Sequence, residues 1–360
     1  AIEWLDVEAL YDVPVIGLLI QFVVYIVDQF PLVAPIILTA AVPIVLGALC
    51  GFMNERTGVV NIGIEGMMLV AAFAAWWAAS LAAQVIPMRD GPLGITPALL
   101  IGLLAGIGAA CLASLLHAWL SISLRADQII SGTIINLFAF GITGYLNILV
   151  SQNAPPSGGQ FGSIQLPGAI TAIPVIGVLV DSFITVGPIA LTMLISVILL
   201  QFLLYRSRWG LRTRAVGEHP RAAETVGIDV IKLRYRNVIL GGIFAGLAGA
   251  YLTIEFGDAF QSGMTNGRGF IALAALIFGR WTPVGSFLGA LLFTASVGLE
   301  RSIRIAPPPG DLGEILTAIP GQFYGALPYL ITIIVLAGVV GRSIPPAADG
   351  RPYQRESKAA

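Results

Sequence analysis

Charge is what this chain lacks most. Asp, Glu, Lys and Arg make up 11% of its 360 residues, against about a quarter in soluble domains. Lysine occurs only at Lys232 and Lys358, so no G-x-x-x-x-G-K-[ST] phosphate loop can be drawn anywhere, and ATP binding by that route is excluded. The two histidines, His117 and His219, have no companion Cys or His at ligand spacing, which argues against a metal site. Cys50 and Cys111 sit inside apolar runs and read as buried small hydrophobes rather than a disulfide framework. No Ser–His pair, paired Asp or His-rich zinc arrangement falls within those runs, so an intramembrane enzyme is disfavoured. Residues 1–13 carry Glu3, Asp6, Glu8 and Asp12 but no basic n-region or small-residue cleavage site, which speaks against a removable signal peptide.

What remains is apolar. Hydrophobic residues reach 57% and the mean hydropathy is +0.89. Only helices or closed barrels satisfy every backbone group in hydrocarbon, and the runs here are unbroken rather than alternating, so the expected fold is an all-α polytopic membrane protein. With about 20 residues needed per crossing, the sequence predicts spans near 14–30, 32–53, 60–83, 97–120, 128–150, 184–205, 237–256, 269–280, 283–299 and 323–341. The first is short and holds Gln21 and Asp28, which reads as tilted or interfacial, and 269–280 is too short to cross unless it is a half-helix packed within protein. About ten spans put both termini on one side. Segments 151–183 and 300–322 are Gly- and Pro-rich, each long enough for a short re-entrant or surface helix. Residues 1–342 are therefore expected to form one transmembrane domain, with 343–360 as a tail. The 42 glycines suit close helix packing in lipid.

The little charge present is segregated. Arg206, Arg208, Arg212, Arg214, Arg221, Lys232, Arg234 and Arg236 crowd into the loop 206–236, whereas 152–180 has neither Lys nor Arg. Basic loops stay cytoplasmic, so this loop and the tail are assigned to the inside. Within it, Gly217 to Gly227 reads as a short surface helix, with Pro220 in its first turn and Gly227 at its end. Glu218, Pro220, Arg221, Ala222, Ala223, Glu224 and Gly227 are its candidate contact residues. Small alanines would let such a helix seat deeply on a partner, with the charges forming the rim. A basic loop facing anionic lipid is the plainer reading.

Polar residues inside spans form a second set. Asn61 and Glu65 lie four apart on one helix face, and Gln128, Ser131 and Asn136 fall roughly along one side of another. An ionisable residue in a span is costly and marks a functional candidate; neutral amides and hydroxyls suit a route for a polar, uncharged solute. The competing readings are a Glu65 that pairs with Arg56 or caps a helix end, and interhelical hydrogen bonds that only hold the bundle. Glu255, Asp258 and Arg268 cluster near the outer end of span 237–256, where a charged rim could orient a docking receptor. Solvated loop charge is the simpler account. Ser157-Gly158-Gly159-Gln160 copies four letters of an ATPase signature, but it follows Pro155-Pro156 in the loop free of basic residues and is a coincidence.

Four stretches in order carry a resemblance: Asn54-Glu-Arg-Thr-Gly-Val-Val-Asn61-Ile-Gly-Ile-Glu65-Gly-Met-Met-Leu; Ala126-Asp-Gln128-Ile-Ile-Ser131-Gly-Thr-Ile-Ile-Asn136; Gly210-Leu-Arg-Thr-Arg-Ala-Val-Gly217-Glu218; and Gly267-Arg268-Gly-Phe-Ile-Ala-Leu-Ala-Ala-Leu-Ile-Phe278-Gly-Arg-Trp281. Together they resemble the permease subunits of bacterial ABC importers for nucleosides, over residues 32–342. Ribose and branched-chain amino-acid permeases look like more distant relatives. Arg221-Ala222-Ala223, three residues, then Gly227 resembles the E-A-A-x-x-x-G coupling loop, with Arg in place of the leading Glu. The resemblance implies a fold similar to the vitamin B12 importer permease, in the bacterial plasma membrane. It also implies a separate ATPase subunit that holds ATP and Mg, a second and paralogous permease, an extracytoplasmic solute-binding lipoprotein, and nucleoside as solute. No nucleic acid is expected as partner, and this chain itself binds no cofactor. An ion-coupled secondary transporter is the rival, and it would want ionisable groups near the midplane.

Overall fold

A computed structural model describes residues 14–86, 94–151, 158–163, 187–334 and 343–354. These contain helices, turns and extended segments but no strand. In chain order the helices are α1 (Pro14–Glu55), α2 (Ile64–Val85), α3 (Pro97–Ala118, prolonged by a π-turn over Trp119–Ser123), α4 (Gln128–Ser151), α5 (Pro188–Arg206), α6 (Arg208–Glu218), α7 (Pro220–Thr225), α8 (Val230–Ile254), α9 (Arg268–Phe278), α10 (Pro283–Ile305), α11 (Asp311–Ala318) and α12 (Gly321–Ile334). Among the described residues, seven helices (α1–α5, α8 and α10) are long and apolar enough to cross a membrane.

Among the described residues the expected count of about ten is not reached, and two of the differences have a physical reason. The spans placed at 14–30 and 32–53 are one continuous helix of 42 residues. Asp28-Gln29-Phe30-Pro31 reads as a break, yet a proline inside a membrane helix is tolerated where neighbours satisfy the freed carbonyl. The segment at 269–280 is the 11-residue α9, too short to cross and packed within protein as the half-helix reading requires. Of the span at 323–341, residues 335–341 lie outside the described part, as does most of 151–183. The short helix anticipated within 300–322 is α11.

The contacts divide the chain into two units. One takes the described parts of 1–40 and 291–341, the other those of 41–165, 184–290 and 342–360. In the first, the Tyr25 hydroxyl meets Ser302 Oγ at 2.9 Å and donates to the Ala306 carbonyl at 3.0 Å. A cavity of about 880 Å³ opens there beside Asp28, Gln29 and Pro307–Pro309.

The second unit is built on α2, α3 and α8, and here the glycine richness acquires a purpose. A Cβ on Gly249 would lie 2.1 Å from the Met68 carbonyl oxygen, one on Gly246 2.5 Å from Ile107 Cα, and one on Gly102 2.6 Å from the Ala75 carbonyl oxygen. Gly102/Gly106 and Gly242/Gly246 repeat at the small-xxx-small spacing that lets backbones touch in lipid, where packing rather than hydrophobicity drives association. In consequence α8 is 78% buried across its apolar window while α4 is only 17% buried. The last turn of α8 and the chain beyond it run along α2. Thr253 donates to the Ala72 carbonyl at 3.1 Å, Phe260 packs edge-on against Phe73 at 5.2 Å, and Gly267 reaches Glu65. From Ala72 to Glu65 is about two helical turns, or roughly 10 Å, so α9 begins well inside the helical bundle.

Candidate coupling and translocation site

The basic loop folds as two helices bolted to the foot of α8. Ser207 caps α6 by accepting from the Gly210 amide at 3.0 Å. Trp209 Nε1 donates to Asn237 Oδ1 at 3.0 Å, and Asn237 Nδ2 donates to Thr213 Oγ1 at 3.1 Å. Arg56 lies 3.8 Å from Glu218, and a Cβ on Gly217 would sit 2.3 Å from the Arg56 carbonyl oxygen, so the α1–α2 turn rests directly on the end of α6. The expected short helix is α7, with Pro220 in its first turn and Gly227 at a left-handed φ of +83° just beyond its end.

The two alanines of this helix face opposite ways. Ala223 is 4% exposed in an apolar cluster with Val216, Val230, Leu233 and Tyr353, whereas Ala222 is exposed. Arg221, Ala222, Thr225, Val226 (76% exposed) and Gly227 form the outward surface. Glu224 turns toward the protein and accepts from the Tyr353 hydroxyl.

The residues expected along a solute route converge on the turn between α1 and α2. The Val60 amide donates to Gln128 Oε1 at 2.7 Å, and His117 Nε2 meets the Val60 carbonyl at 2.9 Å. A carbonyl only accepts, so Nε2 carries the proton, leaving Nδ1 to accept from Ser131 Oγ at 3.1 Å. Asn61 Oδ1 accepts from the Gly63 amide at 2.9 Å; Asn136 accepts from the Gly66 amide at 2.7 Å and donates to the Ile62 carbonyl at 2.9 Å. Asn61, Gln128 and Ser131 are buried, while Asn136 and Glu65 keep partial exposure.

Glu65 is a clip on α9. Its Oε1 accepts from the Gly267 amide at 2.8 Å and its Oε2 from the Gly269 amide at 2.6 Å. A carboxylate there satisfies two orphan donors and faces the positive end of the helix dipole. The partner anticipated among the alternatives, a helix end, is the one observed. At the other end of α9, Trp281 Nε1 donates to Glu55 Oε2 at 2.6 Å.

The three expected receptor-docking residues have different surroundings. Glu255 accepts from the Ile189 and Ala190 amides at 2.6 and 2.9 Å and so caps α5. Arg268 turns back on its own loop, donating to the Met264 carbonyl at 2.8 Å. Asp258 is exposed.

Sequence reasoning missed a third layer, the segment 343–354. Its Ala348 amide donates to the Gly217 carbonyl at 2.8 Å, its Ala347 amide to Glu218 Oε2 at 3.2 Å, and Ser343 Oγ to the Ile277 carbonyl at 2.7 Å. It covers Arg234, which is 1% exposed and donates to the Arg351 carbonyl at 3.1 Å. The signal was present in an Asp349-Gly350 turn followed by an aromatic, Tyr353, in a polar tail.

Three comparisons bear on this architecture. A family model described as "Branched-chain amino acid transport system / permease component" matches residues 34–336. The guanosine ABC transporter permease protein NupQ of Bacillus subtilis is 38% identical over 91% of this chain and 98% of its own length. The nucleoside ABC transporter permease protein NupC of Lactococcus lactis is 36% identical over the same shares. A putative glucose ABC transporter permease protein of Haloferax volcanii, TsgC13, is 34% identical over 88% of this chain and 95% of its own length. No solved structure matches. The resemblance carried by the four motifs is thus borne out, and the chain belongs to the family of branched-chain amino acid transport system permease components.

Proposed function

We propose that this chain is the permease subunit of an ATP-driven importer, that its solute is a nucleoside, and that α7 receives the stroke of a separate ATPase subunit in the cytoplasm. The observation that carries the reading is similarity along nearly the whole length to permeases named for guanosine and nucleosides. The outward surface of α7 supports the coupling role, since small or apolar groups, Ala222 and Val226, stand there beside a charge at Arg221. Hydrolysis, with ATP and Mg, belongs to that partner. In each of three organisms two different permease proteins match this chain at unequal identity, for example NupQ at 38% and NupP at 29%; a paralogous second permease therefore fits better than a homodimer. Partial exposure supports solute contact by Glu65 and Asn136 among the five polar candidates, and exposure of Asp258 supports a part for it in meeting a receptor lipoprotein.

The second reading, a sugar permease, is favoured by the relative named for glucose. Vesicles reconstituted with the chain and its partner ATPase, second permease and receptor should take up labelled guanosine on addition of ATP. Uptake of glucose or ribose with no nucleoside uptake would establish the second reading instead. Ala222→Glu should abolish recovery of the ATPase with the permease; unchanged recovery and uptake would remove α7 from the docking role.

A further inference from the structure

We propose that residues 343–354 form a second wall of the ATPase-docking site, and that the groove between this strap and α7 receives an acidic segment of the ATPase subunit. The inference rests on the reading of α7 as the coupling helix.

A cavity of about 600 Å³ lies between the two elements, with His219, Arg221 and Ala222 on one side and Ala347, Arg351 and Tyr353 on the other. The strap is not a loose tail laid over it. Backbone bonds from Ala347 and Ala348 fix it to Glu218 and Gly217, Ser343 fixes its start to α9, and buried Ala348 and Tyr353 seat it against the protein. A turn closed by the Asp349 amide on the Pro346 carbonyl at 2.9 Å, with Gly350 at φ +72°, holds Arg351 out toward solvent.

Charge selects the occupant. The carboxylates on these walls already have work within the chain: Glu218 accepts from Ala347 and lies 3.8 Å from Arg56, and Glu224 accepts from Tyr353. The mouth presents Arg221 and Arg351 to solvent beside one exposed carboxylate, Glu218, and neighbouring elements add exposed Arg208, Arg212, Lys232 and Arg236 against exposed Asp229, so the excess is basic. A surface of one sign recruits the other and speeds its encounter. Anionic lipid shares that charge, but a concave groove with Ala222, Ala348 and Pro352 among its walls suits an inserted turn or helix end better than a layer of solvated headgroups.

The test compares Arg351→Glu, Arg351→Lys and Val226→Asp in the fully co-expressed complex. Arg351 is held through its backbone, its amide donating to the Ala348 carbonyl at 3.2 Å and its carbonyl accepting from Arg234 at 3.1 Å, so the side-chain reversal leaves the strap's own bonds in place, and the melting temperature of the permease should not change. Arg351→Glu should cut the ATPase retained on the permease roughly five-fold at low salt, with the deficit shrinking toward about 0.5 M salt as screening takes over. Arg351→Lys should retain the partner. If Val226→Asp loses the ATPase while Arg351→Glu keeps it, the strap is overturned and α7 stands. If both variants keep it, both readings fall. If Arg351→Glu changes only retention on anionic vesicles, the groove is a lipid surface and the inference is overturned.

Discussion

At the scale of single residues, the structure separates groups that look alike in sequence. Ala222 and Ala223 are adjacent and both small, yet one faces out and the other is packed against Val216, Val230 and Leu233. Ala223→Glu places a carboxylate among apolar side chains at a cost of several kcal/mol. Its yield of folded permease in detergent should fall, whereas Ala222→Glu should fold normally and lose only its partner; equal folded yields would show that the two alanines are equivalent. Glu65 invites a similar separation. Removing its carboxylate deprives α9 of two charge-assisted bonds, so Glu65→Ala should destabilise by about 3 kcal/mol, and Glu65→Gln, which keeps one acceptor oxygen, by about half that. A thermal melt of the purified complex measures it. A melting temperature unchanged by Glu65→Ala, with uptake per complex reduced, would return Glu65 to solute contact alone.

At the scale of elements, helices were far more legible than the bonds between them. Apolar length marked α2, α3, α4, α5, α8 and α10 because a bilayer imposes it directly, and Pro220 and Gly227 marked α7 because its ends need those residues. The strap left only its Asp-Gly turn and Tyr353 as signs, since its order comes from long-range bonds to Gly217, Glu218 and Arg234 that no local pattern encodes. For the same reason Arg234 reads as one more loop cation when it is buried. Asp349, on the strap, faces Arg234 from α8 and Glu55 from α1. Burial pushes its carboxyl up to about 7, against the pull of the Gly350 amide and the Arg234 charge. Because the docked state favours the protonated form, this contribution to docking is complete below the ordinary carboxylate range and is lost as pH rises through about 7. Amide exchange at Ala348, corrected for intrinsic rate, should therefore show stronger protection at about pH 6 than at about pH 8, and Asp349→Asn should flatten the difference. Protection that rises with pH would reverse the assignment.

At the scale of the whole molecule, the family was legible from four motifs, while the continuity of α1 was not. Hydropathy counts apolar residues and has no term for a helix that continues through Pro31 and Pro35. The distinction has a topological consequence. Two spans before Glu55 would return Leu19 to the bilayer face at which Glu55 lies; a single crossing by one continuous helix of about 63 Å would leave it at the opposite face. Single cysteines at Leu19 and Gln354, both exposed, placed in a background lacking Cys50 and Cys111, should react with an impermeant thiol reagent from opposite faces. Labelling of both from one face would show that α1 breaks into two passes in the bilayer.

Helix α9 is bounded by left-handed joints on both sides, Asn266 and Gly267 before it (φ +46° and +78°) and Arg280 and Trp281 after it (φ +52° and +51°). Each joint is tethered to the same short bracket of chain, the first by Glu65 and the second by Glu55 through the indole of Trp281. Two pins on one bracket tie α9 to it, so α9 follows the bracket instead of moving by itself, and Arg56, 3.8 Å from Glu218 at the end of α6, lies on that bracket. On the coupling role proposed for α7, a displacement arriving at Glu218 has a short, doubly fastened route to the interior of the bundle, as a tray held by both handles goes where the hands go.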